Sequence, residues 1–302
     1  MDYLPGYIHS GKWRDHELYN VYPWLSPFYT QYEKDFNMDD GMIFLRKISP
    51  WFPIATCVAY LLICFFGTRY MKDKKPFELN KFLVVWNFAL AVFSTMGALK
   101  TVPHLLRVIF VEGYEFTIAG PGRDWCGGGA IGLWAQLFVF SKTPELGDTI
   151  FIILRKKPLI FLHWYHHVTV LLYTWHSYYH LEAYSIYFAA MNYSVHAVMY
   201  LYYALAAVKI RLCKPYYVTM IQISQMFLGI GVCCSCWYYY AKGNRDNIHL
   251  GNLWAGGIMY ASYAFLFLQY AIRRFIKKMG MARKMSKDFI ERKNREGNKK
   301  AQ

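Results

Sequence analysis

Three imidazoles stand at i, i+3 and i+4 in His163-Trp164-Tyr165-His166-His167, a spacing that puts them on one face of a helix. Such a face can bind a metal, or it can move protons and acyl groups, because an imidazole with its ordinary pKa near ~6.5 keeps a nucleophilic lone pair at neutral pH. Upstream, Ser141-Lys142-Thr143-Pro144-Glu145-Leu146-Gly147-Asp148-Thr149 brings a lysine and two carboxylates. In a continuous helix Glu145, Asp148 and Thr149 would share a face. Downstream, Asn192 and His196 are four apart, and Thr219, Gln222 and Gln225 follow at steps of three.

The elements that must position these groups are apolar. The chain has 302 residues, 56% hydrophobic and 20% aromatic, in blocks long enough to cross ~30 Å of hydrocarbon at ~1.5 Å per helical residue. The expected fold is an all-α integral membrane protein of seven transmembrane helices, near residues 51–69, 82–102, 130–154, 158–176, 184–208, 216–240 and 253–273. The block 130–176 is too long for one span and divides at Arg155-Lys156-Lys157-Pro158, since proline suits a helix start. Three regions follow: a non-cytosolic N-terminal segment (1–50), a catalytic membrane domain (51–273) and a basic cytosolic tail (274–302). Residues 1–50 are polar, aromatic and Pro-punctuated, unlike a cleavable signal.

Basic residues set the orientation. With the N-terminus outside the cytosol, the cytosolic side collects Arg69, Lys72, Lys74, Lys75 and Lys81, then Arg155 to Lys157, then Lys209, Arg211 and Lys214, then the tail. The formal net charge is +15, and residues 273–302 alone carry +9. That tail suits anionic membrane lipid, and nothing in the chain resembles a nucleic-acid-binding module. Lys299 and Lys300, ahead of Ala301-Gln302, have the form of a cytosolic dilysine signal for retrieval to the endoplasmic reticulum.

Polar groups buried in lipid are costly, about 2.5–3.5 kcal/mol for Asp, Lys or Arg at a helix centre, and so call for a reason. Counting inward at ~1.5 Å per residue puts Asp148 ~9 Å, His166 ~12 Å, Glu145 and Gln225 ~14 Å and His196 ~18 Å deep, a shared slab. A di-iron centre would require further histidine boxes. The chain has one HxxHH, and His176, only four residues before His180, lies too far along the helix to join it. His176, His180, His104 and His249 are expected as polar groups near the non-cytosolic boundary, and no metal is expected. The seven cysteines fall mostly in apolar stretches, away from the slab. A transporter would scatter its sites about a repeat axis, and no inverted repeat is visible.

Four ordered motifs, Lys142–Thr149 (KTPELGDT), His163–His167 (HWYHH), residues 191–203 (MNYSVHAVMYLYY) and 219–225 (TMIQISQ), resemble those of the very-long-chain fatty acid elongases, the membrane 3-ketoacyl-CoA synthases. The likeness spans roughly residues 50–275, and LHWYHH resembles the subgroup favouring saturated and monounsaturated chains. It implies condensation of an acyl-CoA with malonyl-CoA to a 3-ketoacyl-CoA, releasing CO2 and CoA, with no cofactor. His166 is then the expected acyl carrier, oriented by His163 and His167. His196 and Asn192 would supply donors to the enolate, Asp148 and Glu145 would fix imidazole tautomers, and Lys142 would neutralise them. The runner-up uses the histidines only as bases in a direct condensation. Thr219, Gln222 and Gln225 would meet the substrate, with Lys209, Arg211, Lys214, Arg273 and Arg274 near the CoA phosphates. Spans two to seven would enclose an acyl tunnel. The resemblance also implies a tie between Cys126 and the far end of the sixth span, with Cys236 the pair and Cys233 and Cys234 competing. Partners would be the other enzymes of the elongation cycle, and self-association as a homo-oligomer is compatible with all of this.

Overall fold

The computed structural model describes residues 11–210 and 212–300, with side chains except at Asp40, Phe275 and 277–300. Among the described residues the elements are helical, with one isolated bridge between Asn37 and Gly128. Numbering only the long framework helices and their continuations, these are α1 (Trp51–Tyr70), α2 (Asn80–Glu112), α3 (Gly129–Glu145), α4 (Gly147–Leu154), α5 (Phe161–His180), α6 (Ser185–Ala207), α7 (Pro215–Ala241) and α8 (Leu250–Lys300). Local chemistry sets several ends. Pro215 opens α7, where its missing N–H is no loss, and α2 stops at Gly113, whose φ of +89° suits glycine.

Four helical stretches are long and apolar enough to cross a membrane: α1, α2, α7 and Leu250–Arg274 of α8. On α2, Phe82, Val85, Phe88, Leu99 and Phe110 all stand more than half exposed. An apolar outer face of that extent is stable against lipid rather than water. The other three expected spans coincide with α3 plus α4, α5 and α6. There α3 is short, α5 carries five His and four Tyr, and α6 carries five Tyr with the buried Asn192 and His196.

One expectation is corrected. The helix foreseen over 130–154 breaks at Leu146, whose N–H reaches back only to Thr143 O at 3.2 Å, a tightened turn just after Pro144. Proline removes one helix donor and crowds the preceding turn. Glu145 and Asp148 therefore serve different surroundings.

α6 packs most extensively against α2. Gly97 of α2 lies under the Tyr193 ring, so that any side chain at 97 would collide with it, and Tyr193 donates its hydroxyl to Trp134 O at 2.9 Å. This contact holds α6 between α2 and α3, which fixes the register of Asn192 and His196.

Residues 11–48 pack on the Gly129 end of α3. Trp13 covers Gly128, and Gly129, at φ +63°, leaves room for Glu17, which accepts the Ile131 N–H at 3.2 Å. Glu33 accepts the Thr30 N–H at 2.7 Å and the Trp134 indole N–H at 2.9 Å, and pairs with Lys100 at 3.1 Å. Burial pushes the Glu17 carboxyl up from 4.5 to about 8. Between those values the folded chain keeps a proton that the unfolded chain has lost, so stability falls as pH rises from 4.5 through 8. Melting curves should show the wild-type Tm dropping by several degrees more than that of Glu17→Gln between pH ~5 and pH ~8. Parallel curves would remove Glu17 as the cause.

Candidate active site

α4, α5, α6 and α7 converge on a cavity of about 490 Å³. α5 turns His163, His166 and His167 into it, α6 contributes Asn192 and His196, and α7 contributes Thr219, Gln222 and Gln225. Asp148 enters from α4 and Arg274 from α8. Residues scattered over more than 120 positions of sequence thus face one space.

Behind the wall stands a buried ion pair. Lys142 Nζ lies 2.7 Å from Glu145 Oε1, and the two residues are 2% and 4% exposed. Ser141 also donates to Glu145, at 3.0 Å. Lys142 donates a second hydrogen bond to Asn192 Oδ1 at 3.0 Å, which fixes the amide with its NH2 toward His196 Nε2 at 3.1 Å. His196 Nε2 must then accept, so neutral His196 carries its proton on Nδ1, which faces Glu145 Oε2 at 3.9 Å. The lysine thereby selects a histidine tautomer two residues away in the network. Of the expected donor pair, Asn192 keeps a spare N–H, whereas neutral His196 has none to offer from Nε2.

Asp148 works differently from expectation. Its two oxygens accept the Trp86 indole N–H at 2.6 Å and the Tyr200 hydroxyl at 2.8 Å, so it ties α2 and α6 to α4 rather than orienting an imidazole directly. The histidine partner is Thr149, whose hydroxyl lies 2.9 Å from His163 Nε2 and 2.8 Å from the Tyr60 hydroxyl of α1. His163 and His167 pack edge to face with centroids 4.5 Å apart, and the Tyr60 ring closes on His167 at 6.1 Å. His166 is half-buried, and neither of its ring nitrogens hydrogen-bonds a described residue. Its backbone is pinned instead, by the Tyr263 hydroxyl on His166 O at 3.2 Å.

Tyr60, Trp86, Tyr200 and Tyr263 escape a reading based on charged residues and histidines. Their one signal is a polar tip on an aromatic ring inside an apolar block, a group that seeks a partner when buried.

The other expected residues divide between the cavity wall and the surface. Thr219 bonds back to Pro215 O at 3.4 Å, and Gln222 donates to Met199 Sδ at 3.2 Å. Lys209, Lys214 and Arg273 are exposed and do not line the cavity, and Arg211 lies outside the described residues. Lys299 and Lys300 end α8, with side chains outside the described set. Two cysteines come closer to α5 than expected: Cys57 Sγ points at Val168 O at 3.8 Å, and Cys64 sits beside Tyr60. Cys126 and Cys236 are buried in one apolar cluster as free thiols, and Cys126 donates to Gly122 O at 3.0 Å, so the expected tie is not made in this structure.

Comparison with known proteins places this arrangement. The family described as ELO: GNS1/SUR4 matches residues 47–283. Over 254 residues the chain is 40% identical to very long chain fatty acid elongase 6 of Homo sapiens, covering 82% of this chain and 93% of that one. The chain belongs to the ELO family of fatty acid elongases. It is 39% identical over 233 residues to very long chain fatty acid elongase 6 of Drosophila melanogaster, covering 74% of this chain and 72% of that one. To very long chain fatty acid elongase 3 of Homo sapiens it is 34% identical over 260 residues, covering 85% and 94%. This elongase is a multi-pass membrane enzyme of fatty acid elongation, and every residue lining its polar cavity falls inside the family match. Trp13, Glu17 and Glu33, which pack on α3, lie outside it.

Proposed function

We propose that this elongase catalyses the condensing step: a long-chain acyl-CoA, saturated or monounsaturated, joins malonyl-CoA to give a 3-ketoacyl-CoA two carbons longer, with loss of CO2 and CoA. The carrying observation is His166, whose ring faces the cavity with both nitrogens free of described partners while its backbone is held by Tyr263. A nucleophile needs such an unengaged lone pair in a fixed position.

A ring nitrogen of His166 attacks the thioester carbonyl, the C–S bond breaks, and CoA leaves as the thiol with the imidazole's proton. Malonyl-CoA then loses CO2, and the electron pair of that C–C bond becomes the enolate of the remaining acetyl unit. The spare N–H of Asn192, held in place by Lys142, stabilises the developing enolate oxygen. The enolate carbon attacks the acyl-imidazole, a C–C bond forms, the C–N bond breaks, and the departing imidazolate takes up a proton from water, which restores neutral His166. No metal and no cofactor is invoked.

The polyanionic CoA head stays at the end of the cavity where Pro215 and Arg274 line it, with exposed Lys209 and Lys214 in the adjoining connection. The acyl chain runs the other way, between α2 to α8. In this reading the chain makes seven crossings, lies in the endoplasmic reticulum membrane and keeps its basic tail in the cytosol.

Trapping tests the covalent step. The purified enzyme given acyl-CoA alone should release CoA and gain the acyl mass on the peptide carrying His166. A product-forming preparation without any adduct on that peptide would assign the histidines to a direct condensation instead.

A further inference from the structure

The bundle holds a second histidine cluster, at the opposite end of α5. His176 and His180 lie one turn apart at the end of that helix, and His249 caps the start of α8, which folds back beside them. We infer that His176, His180 and His249 form a binding site for a borderline-soft divalent transition metal of the Zn2+ class. It bridges the end of α5 to the start of α8, apart from the acyl chemistry.

The geometry carries this. Ring nitrogens from the three residues lie within 4.8 Å of one another. Tetrahedral Zn–N bonds of ~2.0–2.1 Å set ligand nitrogens roughly 3.3–3.4 Å apart, so closure takes ring rotations on the ångström scale. His180 and His249 stack at 3.8 Å with planes 17° apart. Two imidazolium rings so close would repel, so at least one is neutral. The lone pair of His249 Nδ1 accepts the Asn252 backbone N–H at a long 3.3 Å, a contact that the metal would displace. Three imidazoles with no oxygen ligand suit Zn2+ or Cu2+ rather than Ca2+ or Mg2+.

The surroundings also fit a ligand set. His176 Nδ1 lies 2.7 Å from the side-chain amide of Asn252, which is fully buried and anchored by the Tyr184 hydroxyl at 2.8 Å. Outer partners of this kind orient metal-binding imidazoles. For Nε2 of His176 to bind a metal, Nδ1 must donate, and the Asn252 amide turns over to accept. Tyr184 is then released from donating to Asn252 and can serve Glu182, with whose carboxyl it also interacts. Glu182 Oε2 is buried and lacks a hydrogen-bond partner, while Oε1 already holds the His249 backbone N–H at 3.0 Å. Access is open: the cluster forms part of the walls of two cavities, of about 660 and 570 Å³, and His180 lines both.

The test uses tag-free, full-length protein in detergent. Titration with Co2+ should give the visible bands of a low-symmetry three-nitrogen site at one metal per chain. Zn2+ at about a hundredfold over its Kd should raise the Tm by roughly 5 °C, and Mg2+ should not. His249→Ala, which gives up the contact of Nδ1 with the Asn252 N–H, should melt within about 3 °C of wild type in EDTA and lose both the Co2+ bands and the Zn2+ shift, whereas His166→Ala should keep them. Absence of stoichiometric binding by the wild type, or equal binding by His249→Ala, overturns the site. Loss in His166→Ala alone would move the metal to the HxxHH box and overturn it equally.

Discussion

Replacing His166 by alanine lowers 3-ketoacyl-CoA formation by about 1000-fold or more and leaves the melting temperature close to wild type. The two halves of this result have separate causes. The rate falls because the ring is the proposed acyl carrier, and a neighbouring histidine engaged elsewhere cannot take over. His163 is committed to Thr149, and His167 is buried against Tyr60. Stability survives because no described residue bonds the His166 ring, and its removal only enlarges a space of about 490 Å³ that already exists. No sealed void forms, so the usual penalty for core truncation does not apply. Steady-state assays with malonyl-CoA and a long-chain acyl-CoA, beside melting curves, check both halves. Wild-type rates in the variant would end both the covalent and the general-base readings.

Lys142→Met has the opposite profile and strikes the fold first. It strands the Glu145 carboxylate, 4% exposed, with one remaining hydrogen bond, from the Ser141 hydroxyl, and His196 Nδ1 at 3.9 Å, and it frees the Asn192 amide to turn over. Breaking a buried pair by deleting one partner costs about 3–5 kcal/mol. For a chain of this size that corresponds to a Tm lower by about 5–8 °C. The double variant Lys142→Met with Glu145→Leu removes the stranded charge and should recover most of the loss. Activity should not return with it, because the orientation of Asn192 and the tautomer of His196 both depend on the lysine. A single variant that melts like wild type would mean that the pair carries no such load. A double variant with restored turnover would dismiss the tautomer relay.

The candidate site is legible in the sequence where chemistry and helical spacing coincide. Three histidines at i, i+3 and i+4 declare one face, and a common depth brings Glu145, Asp148, His196 and Gln225 to one level. Spacing within a helix does not say which neighbour that face meets. Hence Asp148 is recognisable as a costly buried acid, while its partners, Trp86 and Tyr200, are 62 and 52 residues away, with no local pattern to single them out from the chain's other aromatic residues. The turn at Leu146 is similarly hidden. Pro144 signals trouble for the helix, but only the fold shows Glu145 and Asp148 parting company. His176 and His180 read as boundary polar groups until α8 returns His249 to them, a meeting that no local pattern encodes.

The order in which the chain is made gives the packing of residues 11–48 on α3 a further meaning. Glu17 and Glu33 leave the ribosome early, but their partners Lys100, Ile131 and Trp134 follow 67 to 114 residues later. At ~5–20 residues per second, the Glu33–Trp134 contact waits roughly 5–20 s. During that interval the early segment is a hydrated, charged polymer that must stay unattached while two further helices enter the bilayer. Its docking therefore reports that α2 and α3 have come together, a built-in timestamp on assembly. A chain halted before residue 131 would leave that segment open to proteases, and one released beyond residue 134 would shield it.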